Sequence, residues 1–171
     1  EATNHYFKHL GVSDGLSQVC IPSIYQDELG AVWLGTTEGL NRYNGKDVKV
    51  FQPSESNHGL TNNEINELCG DKNGRMYIRS GNDLIKLDIY TEQFTCLRQK
   101  GVYGLFCKKD TLWVSCADGI YYYTGQGTEL TFFARVQKGF VGRALYVDKE
   151  TVWVVTRKYL VAISREDPLR Q

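Results

Sequence analysis

The chain has 171 residues, with 20 lysines and arginines against 20 aspartates and glutamates. That length supports one domain with a sizeable core, and the balanced charge gives no basic footprint for nucleic acid or a membrane surface. Eleven tyrosines and 17 glycines beside only three prolines favour strands and tight turns over helices. The longest apolar runs, such as residues 152–155, fall far short of the roughly 20 residues needed to span a bilayer. No charged region leading into an apolar stretch opens the sequence, so no signal peptide is expected in these residues.

The first predicted element is an isolated strand over 5–10. Four units follow, over approximately 16–53, 60–99, 101–136 and 140–164, and a polar tail containing Pro168 occupies 165–171. The units align on an aromatic: Trp33, Tyr77, Trp113 and Trp153, spaced 44, 36 and 40 residues apart. Each aromatic is preceded by a predicted strand (21–26, 65–70, 103–108, 143–147) and a polar hairpin turn (27–30, 71–74, 108–111, 148–151). The Asp, Asn and Gly residues of the first two turns supply the side-chain hydrogen bonds and positive φ angles that short hairpins need. After each aromatic strand come a second turn (37–39, 81–83, 117–119, 157–159) and a third strand (40–43, 84–87, 120–123, 160–163). The first three units add a fourth strand (48–52, 93–98, 130–135) carrying Phe51, Phe94 and the Phe132–Phe133 pair. The fourth unit lacks one, and the 5–10 strand is the candidate to complete it.

Repeats of about 40 residues with four short antiparallel strands each specify an all-β fold, a partial β-propeller of about four blades. The four aromatics are then expected between neighbouring sheets, where Gly35 would relieve crowding. Four blades leave three arrangements open: a small closed ring, pairing with a second copy, or a segment of a longer chain. The unfinished fourth blade favours the last.

The five cysteines, Cys20, Cys69, Cys96, Cys107 and Cys116, include no C-x-x-C pair. They read as small buried hydrophobes within strands, with one or two disulfides open if the protein is exported and no pairing given by the sequence. No metal site is expected. His5 and His9 lie about 13 Å apart along one predicted strand, and His58 is alone. The turns at Asp27 and Asp71 lack the alternating oxygen ligands of a calcium loop. Residues 35–39 lack the lysine and helix of a phosphate-binding loop. No catalytic residues and no cofactor are assigned. Binding residues are sought on the rim formed by the second turns and the interblade connections. Arg79, Asn82, Asp118, Arg157 and Tyr159 offer planar hydrogen-bonding groups and an aromatic platform suited to sugars, although charged loop tips are also ordinary solvated surface.

One segment resembles a known family. Residues 13–18 (Ser-Asp-Gly-Leu-Ser-Gln), Ile24–Asp27 (Ile-Tyr-Gln-Asp), 30–36 (Gly-Ala-Val-Trp-Leu-Gly-Thr) and Gly39–Tyr43 look like the two-component regulator propeller repeat. The second unit matches through 59–63 and 71–74, the third keeps Trp113 and Gly119, and the fourth keeps little beyond Trp153. The resemblance implies the periplasmic sensor region of a hybrid two-component system of Bacteroides-type bacteria. It further implies additional blades, an immunoglobulin-like domain, a membrane span, a histidine kinase and a receiver with DNA-binding output, none of them in these residues. An oligosaccharide ligand from glycan breakdown, packing against other domains of the same sensor and a homodimer are the partners implied; this segment would not itself touch nucleic acid. A polysaccharide lyase or hydrolase and a protein-interaction scaffold are the alternative uses of such a fold.

Overall fold

The computed structural model describes residues 6–54 and 59–166. Among the described residues there are fifteen strands and, before them, one turn of 3-10 helix at Val12–Asp14. Sheet one is β1 (Ser23–Gln26), β2 (Val32–Thr36), β3 (Gly39–Tyr43) and β4 (Val48–Phe51). Sheet two is β5 (Ile65–Gly70), β6 (Arg75–Ser80), β7 (Asp83–Asp88) and β8 (Gln93–Arg98). Sheet three is β9 (Val102–Lys108), β10 (Thr111–Cys116), β11 (Gly119–Tyr123) and β12 (Thr131–Arg135). Sheet four is β13 (Ala144–Val147), β14 (Thr151–Val155) and β15 (Leu160–Ser164). Every sheet is an antiparallel meander in sequence order. The first strands of successive sheets pack against one another, β1 on β5, β5 on β9 and β9 on β13, with no comparable packing between the fourth sheet and the first. The fold is therefore an open arc of propeller blades.

The cores lie between blades. Trp33, Leu40 and Phe51 of sheet one pack with Leu68, Met76, Ile78, Ile85 and Leu87 of sheet two. Tyr77 and Leu84 of sheet two pack with Leu105, Leu112 and Val114 of sheet three. Trp113 and Ile120 of sheet three pack with Leu145, Val152 and Val154 of sheet four. The alternation of strand side chains explains this: each sheet sends one set of residues to the blade before it and the other to the blade after. Removing apolar area from water at about 25 cal/mol per Å² makes each interface the driving force for stacking. Trp33 and Tyr77 are fully buried and Trp113 nearly so.

Gly35 lies where blades one and two meet. A Cβ there would stand 2.9 Å from both Cγ2 and the backbone oxygen of Ile65, so the residue is needed for its lack of a side chain.

Two sequence expectations are corrected. Trp153 was expected between sheets like its counterparts, but it is only half-buried. By register it shares a face with Tyr146 and Ala162, beside the row Ala144, Val155 and Leu160. These rows match Tyr25–Trp33–Arg42 and Ser23–Gly35–Leu40 of sheet one, which blade two covers. No described residues form a sheet over the corresponding face of blade four, leaving Tyr146, Val155 and Leu160 exposed. The second correction concerns the closing strand over 5–10. His5 lies outside the described residues, as does His58. Residues 6–10 form no strand, and sheet four keeps three strands. Lys8 Nζ instead donates to Tyr43 Oη (2.6 Å), which holds the segment beside the first blade. In an open arc that position is out of reach of the last blade.

Candidate functional site at the rim

The first repeat builds its own turns. Asp27 accepts the backbone N–H groups of Leu29 and Ala31 through Oδ1 (2.9 Å each) and the Trp33 indole N–H through Oδ2 (2.7 Å). It thereby closes the β1–β2 hairpin and orients the ring that fills the interblade core. At the other end of β2, Thr36 Oγ1 donates to the Gly39 carbonyl and accepts the Glu38 N–H, shaping the β2–β3 turn. Ser17 is tied in through Asn41 and Thr36, and Leu16 is buried.

The fourth blade repeats the rim turn. Thr156 Oγ1 accepts the N–H groups of Lys158 (3.2 Å) and Tyr159 (2.9 Å) and donates to the Tyr159 carbonyl (3.1 Å). This turn holds Arg157, Lys158 and Tyr159 outward, all exposed. Facing it is the connection from blade three, turned by a Phe140 N–H to Gln137 carbonyl bond (3.0 Å) and by Gly139 at φ +81°. The Arg143 N–H donates to the Val155 carbonyl (2.8 Å), fixing the connection to the blade. Together they line a groove of about 590 Å³ whose charged side chains are Lys138, Arg143, Arg157 and Lys158, with Phe140 and Tyr159 as its aromatic walls and no carboxylate in its lining.

The five rim residues expected to bind thus divide. Arg157 and Tyr159 come together in this groove. Arg79 points elsewhere: its Nε donates to Glu67 Oε2 (3.2 Å) and its Nη1 to the Gly81 carbonyl. Glu67 Oε1 also accepts the Leu105 N–H across the interblade boundary (3.1 Å). Burial pushes the Glu67 carboxyl pKa up, outweighing the opposing pull of Leu105 and Arg79. Asp118 is paired with Arg98 Nη2 (2.6 Å) and accepts Tyr121 Oη (2.9 Å), while the Arg98 guanidinium lies 4.8 Å from the Tyr121 ring centre. Partial burial acts to raise the Asp118 pKa, and the Arg98 and Tyr121 bonds bring it below the ordinary carboxylate value. Asn82 is exposed, and its backbone carbonyl accepts the Val102 N–H (3.0 Å). Lys138, Phe140, Arg143 and Lys158 were not singled out from the sequence. The available signal was the basic and aromatic content of a connection that must face the Arg157–Tyr159 turn.

Residues 15–38 match the family described as Two component regulator propeller. A 50-residue stretch is 40% identical to Histidine kinase P4 of Formosa agariphila, covering 29% of this chain and 4% of that protein. Among solved structures, the extracellular domain of BT3049 of B. thetaiotaomicron, described as a hybrid two component system, superimposes with a TM-score of 0.79. Its identity is 22%, over 94% of this chain and 25% of that one. The extracellular domain of the hybrid two component system BT4673 of the same organism gives 0.68 at 21% identity, over 89% of this chain and 21% of that one. The chain therefore spans about a quarter of these solved domains and a small fraction of the curated relative. Among the described residues no helix is long and apolar enough to cross a membrane. Residues 15–38, in and around the first blade, thus match the two component regulator propeller model, and the fold of the chain is like that of part of the extracellular domains of BT3049 and BT4673.

Proposed function

We propose that this chain is part of the periplasmic ligand-sensing propeller of a hybrid two-component regulator, and that its rim groove takes an acidic oligosaccharide released by glycan breakdown. The carrying observation is the groove itself: four basic side chains and two aromatic rings converge there, and no carboxylate lines it. Guanidinium groups bind carboxylate or sulfate through paired, charge-assisted hydrogen bonds, and a ring supplies a flat apolar platform for the sugar face. The uncovered face of blade four takes the next blade of the longer sensor, in line with the fourfold greater length of the solved domains and the matching rows that blade two covers in blade one. Ligand-driven rearrangement would then pass through blade packing to a dimeric kinase.

The test is calorimetric titration of the 171-residue chain with neutral, uronate-containing and sulfated oligosaccharides. Binding of an acidic member, weakened by added salt, is expected. Arg157→Ala should weaken it about tenfold or more, the loss of one charge-assisted bond, and Tyr159→Ala should also weaken it. Arg79→Ala should leave it unchanged. Equal affinity for neutral and acidic sugars, or indifference to Arg157→Ala, would overturn the assignment, and release of shortened products would make the protein a hydrolase or lyase.

A further inference from the structure

β5 and β9, the first strands of blades two and three, run side by side and share no strand ladder. What joins them is side-chain contact, and one such contact is between two cysteines. Cys107 Sγ lies 3.1 Å from Cys69 Sγ, across 38 residues of chain. The two thiols are partly buried at the rim of the same core, against Tyr77, Leu105 and Leu112. The remaining cysteines are placed differently: Cys20 is exposed ahead of β1, Cys96 packs on the core between blades one and two, and Cys116 is buried at the far end of β10. Among the described residues, no sulfur contact joins any of these three.

We propose that Cys69 and Cys107 are a modification site: an interblade disulfide that staples blade two to blade three. The proposal rests on the extracytoplasmic reading above, since structural disulfides persist in oxidising compartments. The oxidant is a disulfide, either an oxidised dithiol oxidoreductase or glutathione disulfide. One cysteine thiolate attacks an oxidant sulfur, forming a mixed disulfide and expelling a thiolate. The second cysteine thiolate then attacks the cysteine sulfur of that mixed disulfide and expels the other oxidant thiolate. Two S–H bonds are lost and one S–S bond forms. Two electrons reduce the oxidant disulfide to two thiols, which take up the two protons. The hydrogen bond with neighbouring Cys107, and then burial, hold the Cys69 thiol well above its usual pKa in the folded reduced chain. Exchange is therefore fastest while the blades are still assembling, and the finished bond is shielded from reductants.

The 171-residue chain, refolded with glutathione disulfide, alkylated and digested without reduction, should give one linked peptide pair joining Cys69 to Cys107. The pair should disappear on reduction and in Cys69→Ser, and persist in Cys20→Ser. The oxidised chain should melt about 5–15 °C above the reduced one, the usual gain for closing a loop of this size in a protein of this length. Alkylation of both thiols after oxidation, or linkage of either to a different cysteine, would overturn the pairing. Failure of the location reading is scored separately, by a compartment reporter fused to the chain in its native bacterium. A cytoplasmic signal together with the linked pair in refolded protein would refute export and leave the pairing standing.

Discussion

Replacing Asp27 with Ala tests whether the repeat's aspartate matters because it satisfies buried donors. Asp27 is 4% exposed and Trp33 is fully buried. The substitution removes the acceptor of three N–H groups, those of Leu29, Ala31 and the Trp33 indole. The Leu29 group is partly open and can turn to water. The other two remain buried, and a buried donor left unpaired costs about 1–3 kcal/mol. The expected loss is therefore about 4 kcal/mol, a large part of the roughly 5–15 kcal/mol that holds a domain folded. In urea titration followed by circular dichroism this is a fall of about 2 M in midpoint, for a slope of about 2 kcal/mol per M. Asp27→Asn, which keeps an oxygen for the backbone but sets an amide N–H against the indole, should fall between wild type and Ala. Blade four provides the control. Asp148 accepts the N–H groups of Glu150 and Thr151 and the Trp153 indole (3.0 Å) in the same pattern, but on an exposed turn beside a half-buried ring. Asp148→Ala frees donors that water can reach, so it should cost clearly less. Equal losses for the two alanine variants, or a loss below about 1 kcal/mol for Asp27→Ala, would refute the burial argument.

Gly35→Ala should destabilise by about 1–3 kcal/mol through overpacking against Ile65, read as a lower urea midpoint with unchanged slope; a neutral result would mean the blades can part at no cost. Glu67 gives a pH dependence. Burial, the largest influence, raises its folded pKa above the unfolded value. Its contribution to stability is then fully present below the ordinary glutamate pKa of about 4.3 and is lost as pH rises through the folded value. Wild type should therefore lose stability relative to Glu67→Gln from about pH 4 upward and then level off, and a pH-independent difference between the two would contradict it.

The parts of this fold legible in sequence are those fixed by local chemistry. Hairpin turns announce themselves through residues such as Asp71, Asn73 and Gly74, and interblade rings through bulk at a steady interval. What escaped depends on register and on neighbours. Arg79 is a rim candidate by sequence for its place near the second turn and its planar hydrogen-bonding group, and simple alternation from the Ile65–Ser80 pair would leave Asn66 opposite it. A register shift between Ile65 and Glu67 places the carboxylate there instead. The Asp118 partner, Arg98, likewise follows a shift in the β7–β8 pairing and comes from the preceding blade. Trp153 was misjudged because its surroundings depend on what lies over blade four, and nothing within a repeat encodes that.

The weakening of the motif along the chain has a physical reading. A ring is required at each interface, whereas the aspartate beneath it serves the ring only where an indole N–H reaches it, as at Trp33 and Trp153. Trp33 has no exposure, and Asp27 satisfies its indole. In blade two the aromatic is Tyr77, and Asp71 turns to Arg75 Nε while keeping its hold on the Asn73 and Arg75 N–H groups. In blade three the hairpin tightens around Lys109 at φ +51° with no capping aspartate at the head of the turn. Trp113 there keeps 6% exposure and is covered by Tyr122, Phe133 and the Arg165 guanidinium 5.4 Å from its ring centre. Arg165 is itself anchored on the Asp148 and Lys149 carbonyls, so the residue that closes over the third ring comes from the end of the fourth blade. Equivalent blades thus arise from unequal sequences, because stacking selects for a filled interface and several residue sets provide one, even where, as at Tyr77, the ring's hydroxyl is buried without a partner.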